Sequence, residues 1–389
     1  MPSLARRITE TSKKSYGMFA KAAGITDAAR DLIHLELGRP FHTTPRHIVD
    51  ATIAALNAGE VHYSDLAGLP AFRDAIAAKL RAYNRLDVTA ADVLVTNGLT
   101  QASFAAFMAL VDPGDEVILL EPYYPQHFGK IEMAGGRPVT VPLRAEDGYR
   151  LDPALIAAAI TPRTKAITLV NPCNPTGRMY SWQELEGVAA LACQHDLFVI
   201  ADEVYDQIAF DGRQHISIAA LPGMADRTVS MYAFTKAYAM DGWRLGYLTA
   251  CPALLSAMAK IVATEVTHVN TFIQHGGRAA LLGPGAVLEA MVEDDRAKRN
   301  LVVERLNQMP GVSCALPEGT IYAFPDISAT GLKSQEAADR LLAEADVVVE
   351  SGAFYGAAGE GRLRVCFGSE SPERLAIAMD RMQAFFNAL

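Results

Sequence analysis

Several residue types able to do acid–base and covalent chemistry follow short runs of β-branched residues. Asn171-Pro-Cys-Asn174-Pro175-Thr-Gly177 comes after Ala166–Val170, and Asp202-Glu-Val-Tyr205 after Leu197–Ala201. Ala233-Phe-Thr-Lys236 and Gly242-Trp-Arg244-Leu-Gly246 come after Thr228–Tyr232, and Asn97-Gly98-Leu99-Thr100 after Val93–Thr96. In a parallel α/β sheet ligands bind beyond the carboxyl ends of the strands, so these groups are expected on one rim. A lysine for an imine and a carboxylate to keep a pyridine nitrogen protonated are what pyridoxal 5′-phosphate requires. A phosphate dianion also needs a cup. Free backbone N–H groups and a favourable dipole at a helix start after Asn97 supply one, and Arg244 adds a bidentate clamp.

The runs that carry these groups have strand length and composition: Val93–Thr96, Glu116–Leu120, Ala166–Val170, Leu197–Ala201, Thr228–Tyr232 and Tyr247–Ala250. Helical patterns lie between most of them, which predicts a largely parallel sheet wrapped by helices, an α/β fold. The helix after Asn97 is expected to begin near Ala102. Asp152-Pro153 and the capping box Ser181-Trp-Gln-Glu184 mark two crossover helices. After about Gly283 a charged segment, Glu293 to Arg305, leads into short strands and a last helix starting at Ser371-Pro372, with Leu375, Ala378, Met379 and Met382 on one face. We therefore expect a large cofactor-binding domain over 45–284, and a smaller α+β domain made from 1–44 and 285–389.

Composition excludes several classes. The chain has 389 residues, 50% hydrophobic and 20% charged, enough for a substantial core. Its net charge of −9, with no basic run, argues against nucleic acid as a partner. The most apolar stretch, Ala102 to Val111, is far shorter than a membrane span, and the first 15 residues lack the apolar core of a secretory signal. The five cysteines, 173, 193, 251, 314 and 366, are scattered and without a CxxC pair, which predicts a cytoplasmic protein and no metal site. His42, His62, His268 and His275 likewise lack metal-ligand spacing.

Asn174-Pro-Thr-Gly177, Asp202-Glu-Val-Tyr205 and Phe234-Thr-Lys236-Ala-Tyr-Ala-Met-Asp-Gly-Trp-Arg244-Leu-Gly-Tyr, taken in order, resemble the class I/II aminotransferases of pyridoxal-phosphate fold type I. Leu35 to Pro45, His62 to Gly68 and Gly361-Arg-Leu-Arg364-Val extend the resemblance from about residue 30 to the C-terminus. It implies a three-layer α/β/α large domain, and a homodimer that moves an amino group from an L-amino acid to a 2-oxo acid by a ping-pong mechanism. It also implies residue roles: Lys236 forms the internal aldimine and moves the proton, Asp202 pairs with the pyridinium nitrogen, and Asn174 and Tyr205 bond the ring hydroxyl. Tyr124 stacks on the ring. Gly98, Leu99, Thr100, Arg244 and a partner subunit's Tyr63 hold the phosphate, while Arg364, Asn174 and Gly38 hold the substrate carboxylate. Taken singly, Lys236 would read as a solvated lysine, Asp202 as a helix cap, Tyr123 as a rival stacker and Arg362 as a rival to Arg364.

Three departures from the family pattern stand out. Ala233 lies where a hydroxyl often meets the phosphate; Gly38-Arg39-Pro40-Phe41-His42 replaces a Gly-Glu-Pro-Asp-Phe block; and Thr100 stands where acidic-substrate members often carry lysine. Arg39 or His42 is thereby a candidate contact for a polar or acidic side chain. The alternatives are a C–S β-lyase or synthase on the same scaffold, or a non-catalytic regulator domain. The regulator needs a DNA-binding domain, for which the stretch before residue 30 is too short.

Overall fold

The computed structural model describes residues 3–11, 17–25 and 30–389. Its centre is a seven-stranded sheet. From one edge the order is Val93–Thr96, Gly246–Thr249, Thr228–Ala233, Phe198–Asp202, Thr164–Val170, Glu116–Glu121 and Arg137–Pro142. Only Gly246–Thr249 runs antiparallel to its neighbours. Alternate residues of each strand go to opposite faces. Val117, Leu119, Ala166 and Ile200 meet the helix Gly98–Leu110 and the helix Pro252–Glu265, whereas Ile118, Leu120, Ile167 and Val199 meet the helix Trp182–Gln194. Burial on both faces explains why these strands read as unbroken apolar runs.

All six expected strands agree with the observed ones to within two residues at each end, and Val93–Thr96 coincides. The seventh, Arg137–Pro142, escapes the sequence pattern because it is a half-exposed edge strand with two prolines, tolerable where a ladder has a free side. Both crossover caps form: Asp152 Oδ1 accepts the Ala154 N–H at 2.9 Å, and Ser181 and Glu184 make a reciprocal capping box. One expectation is corrected. The helix after Asn97 spans Gly98–Leu110, a full turn earlier than expected at Ala102, because Gln101 Oε1 reaches back to accept the Asn97 N–H at 2.7 Å.

The C-terminal third supplies a helix, Gly285–Leu306, a three-stranded antiparallel sheet in the order Glu350–Ser351, Leu363–Cys366, Tyr322–Ala323, and the helix Pro372–Asn387. Ser371 caps that last helix, whose Leu375, Ala378, Met379 and Met382 are buried. Ile33–His34 pairs in parallel with Val347–Val348, tying the N-terminal segment to this region. These pairings support the division we propose at 44/45 and 284/285. The largest apolar cluster nevertheless runs across it, through contacts such as Phe210 with Phe367, ring centroids 6.3 Å apart. No helix among the described residues is long and apolar enough to cross a membrane.

Below the rim lies a buried polar network. Glu203 accepts from Ser217 Oγ at 2.8 Å and from the Tyr232 hydroxyl, and His215 Nε2 lies 3.8 Å from its Oε2. Burial pushes the Glu203 carboxyl up to about 8, and burial pushes His215 down to about 4. A carboxyl raised in the folded state keeps a proton that the unfolded chain releases, so its stability contribution is lost as pH rises from about 4.5 to about 8. His215 acts with the opposite sign and at lower pH. The Tm of Glu203→Gln is therefore expected to decline less than that of the parent between pH 6 and 8, a difference calorimetry reads directly; parallel Tm–pH curves would contradict it.

Candidate active site

The carboxyl ends of the strands, together with the turn entering the antiparallel strand Gly246–Thr249, open onto a cavity of about 380 Å³. Its wall includes Gly38, Leu99, Thr100, Tyr124, Asn174, Asp202, Tyr205, Lys236, Arg244 and Arg364. The residues predicted to meet at one rim are thus brought together. Lys236, three residues beyond the strand Thr228–Ala233, is the only lysine on the wall among the described residues, and its Nζ donates to the Gly38 carbonyl.

Asp202 is the last residue of its strand and is buried. Its Oδ1 accepts the Val204 N–H at 3.3 Å, and its Oδ2 lies 3.0 Å from His127 Nε2. Burial, outweighing the bond to Asp202, holds His127 below the ordinary histidine range. A neutral imidazole donating from Nε2 fits, leaving Nδ1 without a partner among the described residues. Sequence reasoning missed His127. The available signal was its place three residues after Tyr124, on the first turn of Pro125–Met133, but a lone histidine carries little weight.

Tyr124 and Tyr123 separate. Tyr124 lines the cavity, while Tyr123 is buried and stacks on Phe128 with ring centroids 5.5 Å apart. The Tyr205 hydroxyl is 2.8 Å from that of Tyr322, another wall residue the sequence did not single out. Burial holds the phenols of Tyr124 and Tyr205 above their ordinary range, so both remain protonated.

Two glycines are dictated by close approach. Gly98 has φ +75°, and a Cβ there would lie 2.7 Å from Arg244 Nη2. Arg244 itself has φ +54°, unusual for a non-glycine residue. The guanidinium therefore lies against the start of the helix Gly98–Leu110, whose first N–H groups lack helical partners. A Cβ on Gly38 would meet the Tyr322 hydroxyl at 1.9 Å.

Arg364 and Arg362 also separate. Arg362 donates to Asp326 Oδ2 at 2.8 Å and is absent from this cavity. Arg364 is buried, its Nη1 donates to Asn174 Oδ1 at 3.2 Å and its Nη2 to the Glu36 carbonyl, and its guanidinium sits 4.3 Å from the Tyr322 ring centre. Its Nε has no hydrogen-bond partner among the described residues.

Tyr63 is not on this wall: it is 88% exposed and makes an edge contact with His268 at 4.9 Å. Arg39 lines the cavity, whereas His42 does not, its Nε2 lying 3.1 Å from Asp294 Oδ2. Ligand atoms of His42, Asp294 and Asp295 lie within 4.8 Å of one another, but Lys298 Nζ, 2.6 Å from Asp294 Oδ2, already supplies a cation there. Thr235, beside Lys236, also reaches the wall and offers a hydroxyl in the absence of one at Ala233.

These groups fit pyridoxal phosphate. An amine, a buried carboxylate with a neutral donor behind it, and a cationic cradle at a helix start that a single Cβ would fill all face one space. Comparison with known proteins agrees. The family model "Aminotransferase class I and II" matches residues 30–382. The chain is 39% identical over 370 residues to an aspartate aminotransferase of Pyrococcus abyssi, covering 94% of this chain and 93% of the relative. It is 38% identical over 367 residues to an arginine–pyruvate transaminase of Pseudomonas aeruginosa, with coverage of 94% and 93%. Among solved structures, the aspartate aminotransferase of Thermus thermophilus with maleate superposes with a TM-score of 0.93 at 35% identity, covering 99% of this chain and all of that one.

Proposed function

Since this chain belongs to the class I and II aminotransferases, pyridoxal-phosphate enzymes that pass an amino group from an amino acid to a 2-oxo acid, we propose that the cavity between Lys236 and Arg364 is where that exchange occurs. The relatives favour transamination over a C–S lyase or synthase. Bound here, the cofactor supplies a carbonyl carbon to receive the amino group and an electron-poor ring to stabilise charge at the substrate Cα.

Within this proposal Lys236 is nucleophile and proton carrier. Asp202, held by His127 and the Val204 N–H, keeps a proton on the ring nitrogen by opposite charge. Asn174 and Tyr205 reach the ring hydroxyl, and Tyr124 covers a ring face. Gly98, Leu99, Thr100 and Arg244 take the phosphate. Arg364, with Asn174 and Gly38, takes the substrate α-carboxylate, since a planar guanidinium matches a carboxylate bidentately.

A partner subunit's Tyr63 completes the phosphate site in the homodimer we propose. Support comes from Tyr63 being 88% exposed and accompanied along the same stretch by exposed Ile53, Leu56, Val61 and Leu66, an apolar surface suited to burial by a second copy. Five free cysteines, spread through the chain, support the cytoplasm as location.

The observation that carries the assignment is the convergence of Lys236, Asp202, Asn174, Tyr205, Arg244 and Arg364 on one cavity. The test is the visible spectrum of the cofactor-loaded protein during titration with single amino acids, with ammonia assayed alongside. Loss of the cofactor's visible band without ammonia release, and its return on adding a 2-oxo acid, is the expected result. Ammonia as product would remove the transaminase assignment.

The phosphate cradle yields a second expectation. Gly98→Ala pushes a methyl group into the Arg244 guanidinium, so the cofactor Kd should rise about 10- to 100-fold, the worth of one hydrogen bond to a charged group. Fluorescence titration of the apo-protein reads this, and an unchanged Kd would remove Arg244 from the cradle.

A further inference from the structure

With Arg364 assigned to the donor's α-carboxylate, the donor's side chain still lacks a partner. Two carboxylates line the same cavity beside Arg364, those of Glu36 and Glu350, which are 2% and 5% exposed. Glu350 stands directly opposite Arg364 in the antiparallel pair Glu350–Ser351 and Leu363–Cys366, so both side chains project from one face. Glu36 flanks Arg364 through its backbone, whose carbonyl accepts from Arg364 Nη2.

Neither carboxylate forms an ion pair with Arg364. Glu350 Oε2 accepts the Met18 N–H and its Oε1 the Ser351 N–H, both at 3.0 Å. Glu36 Oε1 is 2.9 Å from His34 Nδ1, and Glu36 Oε2 is buried with no hydrogen-bond partner among the described residues. A buried carboxylate oxygen without a donor is costly, and two such acids side by side raise that cost. Burial, only partly offset by the Met18 N–H, lifts the Glu350 carboxyl above its ordinary range. A cation placed between the two acids would relieve both.

Of the other charges on the wall, Lys236, Asp202, Arg244 and Arg364 already have roles, and Asp241 is a further acid. Arg39 is exposed, so water and salt screen it, whereas the buried acids act at nearly full strength. An anionic side chain here would meet two carboxylates, and a guanidinium or ammonium would meet complementary charge with a free acceptor waiting. Gly17 fits the same purpose: a Cβ on it would overlap the Glu350 carboxylate at 2.3 Å, so a glycine at the cavity wall leaves that carboxylate its place.

We propose that Glu36 and Glu350 form the side-chain subsite of an amino donor bearing a terminal cation, a guanidinium or an ammonium. This rests on Arg364 holding the α-carboxylate. The test is kcat/KM for matched donors: L-arginine against neutral L-citrulline, L-lysine against L-norleucine, with L-aspartate included, in the parent, Glu36→Gln and Glu350→Gln. The expected result is a preference for each cationic donor of about tenfold or more, reduced about tenfold in either variant. Because Glu350 also anchors the Met18 N–H, Glu36→Gln is the variant that separates charge from folding. Equal loss for every donor, with the cationic-to-neutral ratio unchanged, would mean that the acids only balance Arg364 and would overturn the proposal. So would preference for aspartate. Failure of the underlying assignment shows separately, as Arg364→Lys leaving KM unchanged for all donors.

Discussion

Lys236→Ala is expected to lower transamination by at least about 10⁴-fold, the upper end of what one positioned acid–base group contributes, since the same amine is also nucleophile. It is the only lysine on the cavity wall among the described residues, none of which offers a second amine there to take over. Among the described residues its side chain makes one hydrogen bond, to the Gly38 carbonyl, and its loss leaves the apolar core untouched. The variant should fold and retain the phosphate cradle. Single-turnover kinetics with a donor amino acid check this, and partial recovery with small primary amines would show that the missing group is a base. Turnover within about tenfold of the parent would remove Lys236 from the chemistry.

Asp202→Asn is expected to cost about 10²–10³-fold in kcat, the range for losing one preorganised electrostatic partner in a water-poor site. The change is isosteric. His127 Nε2 donates to Oδ2 and the Val204 N–H to Oδ1, so an asparagine keeps an acceptor for one of these donors and loses the charge that holds a proton on a ring nitrogen. KM for the donor should move little, because Arg364 is untouched. His127→Phe should reproduce part of the loss by freeing Asp202 to rotate. If Asp202→Asn altered KM and left kcat alone, the carboxylate would be a binding group and the assignment of its role would fall.

Much of the site was legible because chain order encodes it. Strand ends carry the ligands in a parallel sheet, so Asn174, Asp202 and Lys236 could be placed on one rim once the β-branched runs before them were recognised. Residues that depend on side-chain direction were less accessible. Tyr123 against Tyr124 is a choice of face and Arg362 against Arg364 a choice of position along one extended segment, and spacing alone leaves both open until the packing against Phe128 and the bond to Asp326 are seen. His127, Tyr322, Glu36 and Glu350 were invisible for another reason. They act from separate elements brought together only by tertiary packing, and none sits in a pattern with a chemical signature. The helix start at Gly98 was misplaced because the signal lay in one side-chain bond, from Gln101 back to Asn97. The edge strand Arg137–Pro142 was missed because its exposed, proline-bearing sequence lacks the apolar run of its neighbours.

The central claim is that Lys236 binds pyridoxal phosphate covalently in this cavity, and its most direct test is borohydride reduction of the cofactor-loaded protein followed by peptide mass spectrometry. A pyridoxyl group confined to the peptide bearing Lys236, and lost when the protein is first saturated with its amino donor, is the predicted result. Label on any other lysine, or none on any peptide, would contradict it.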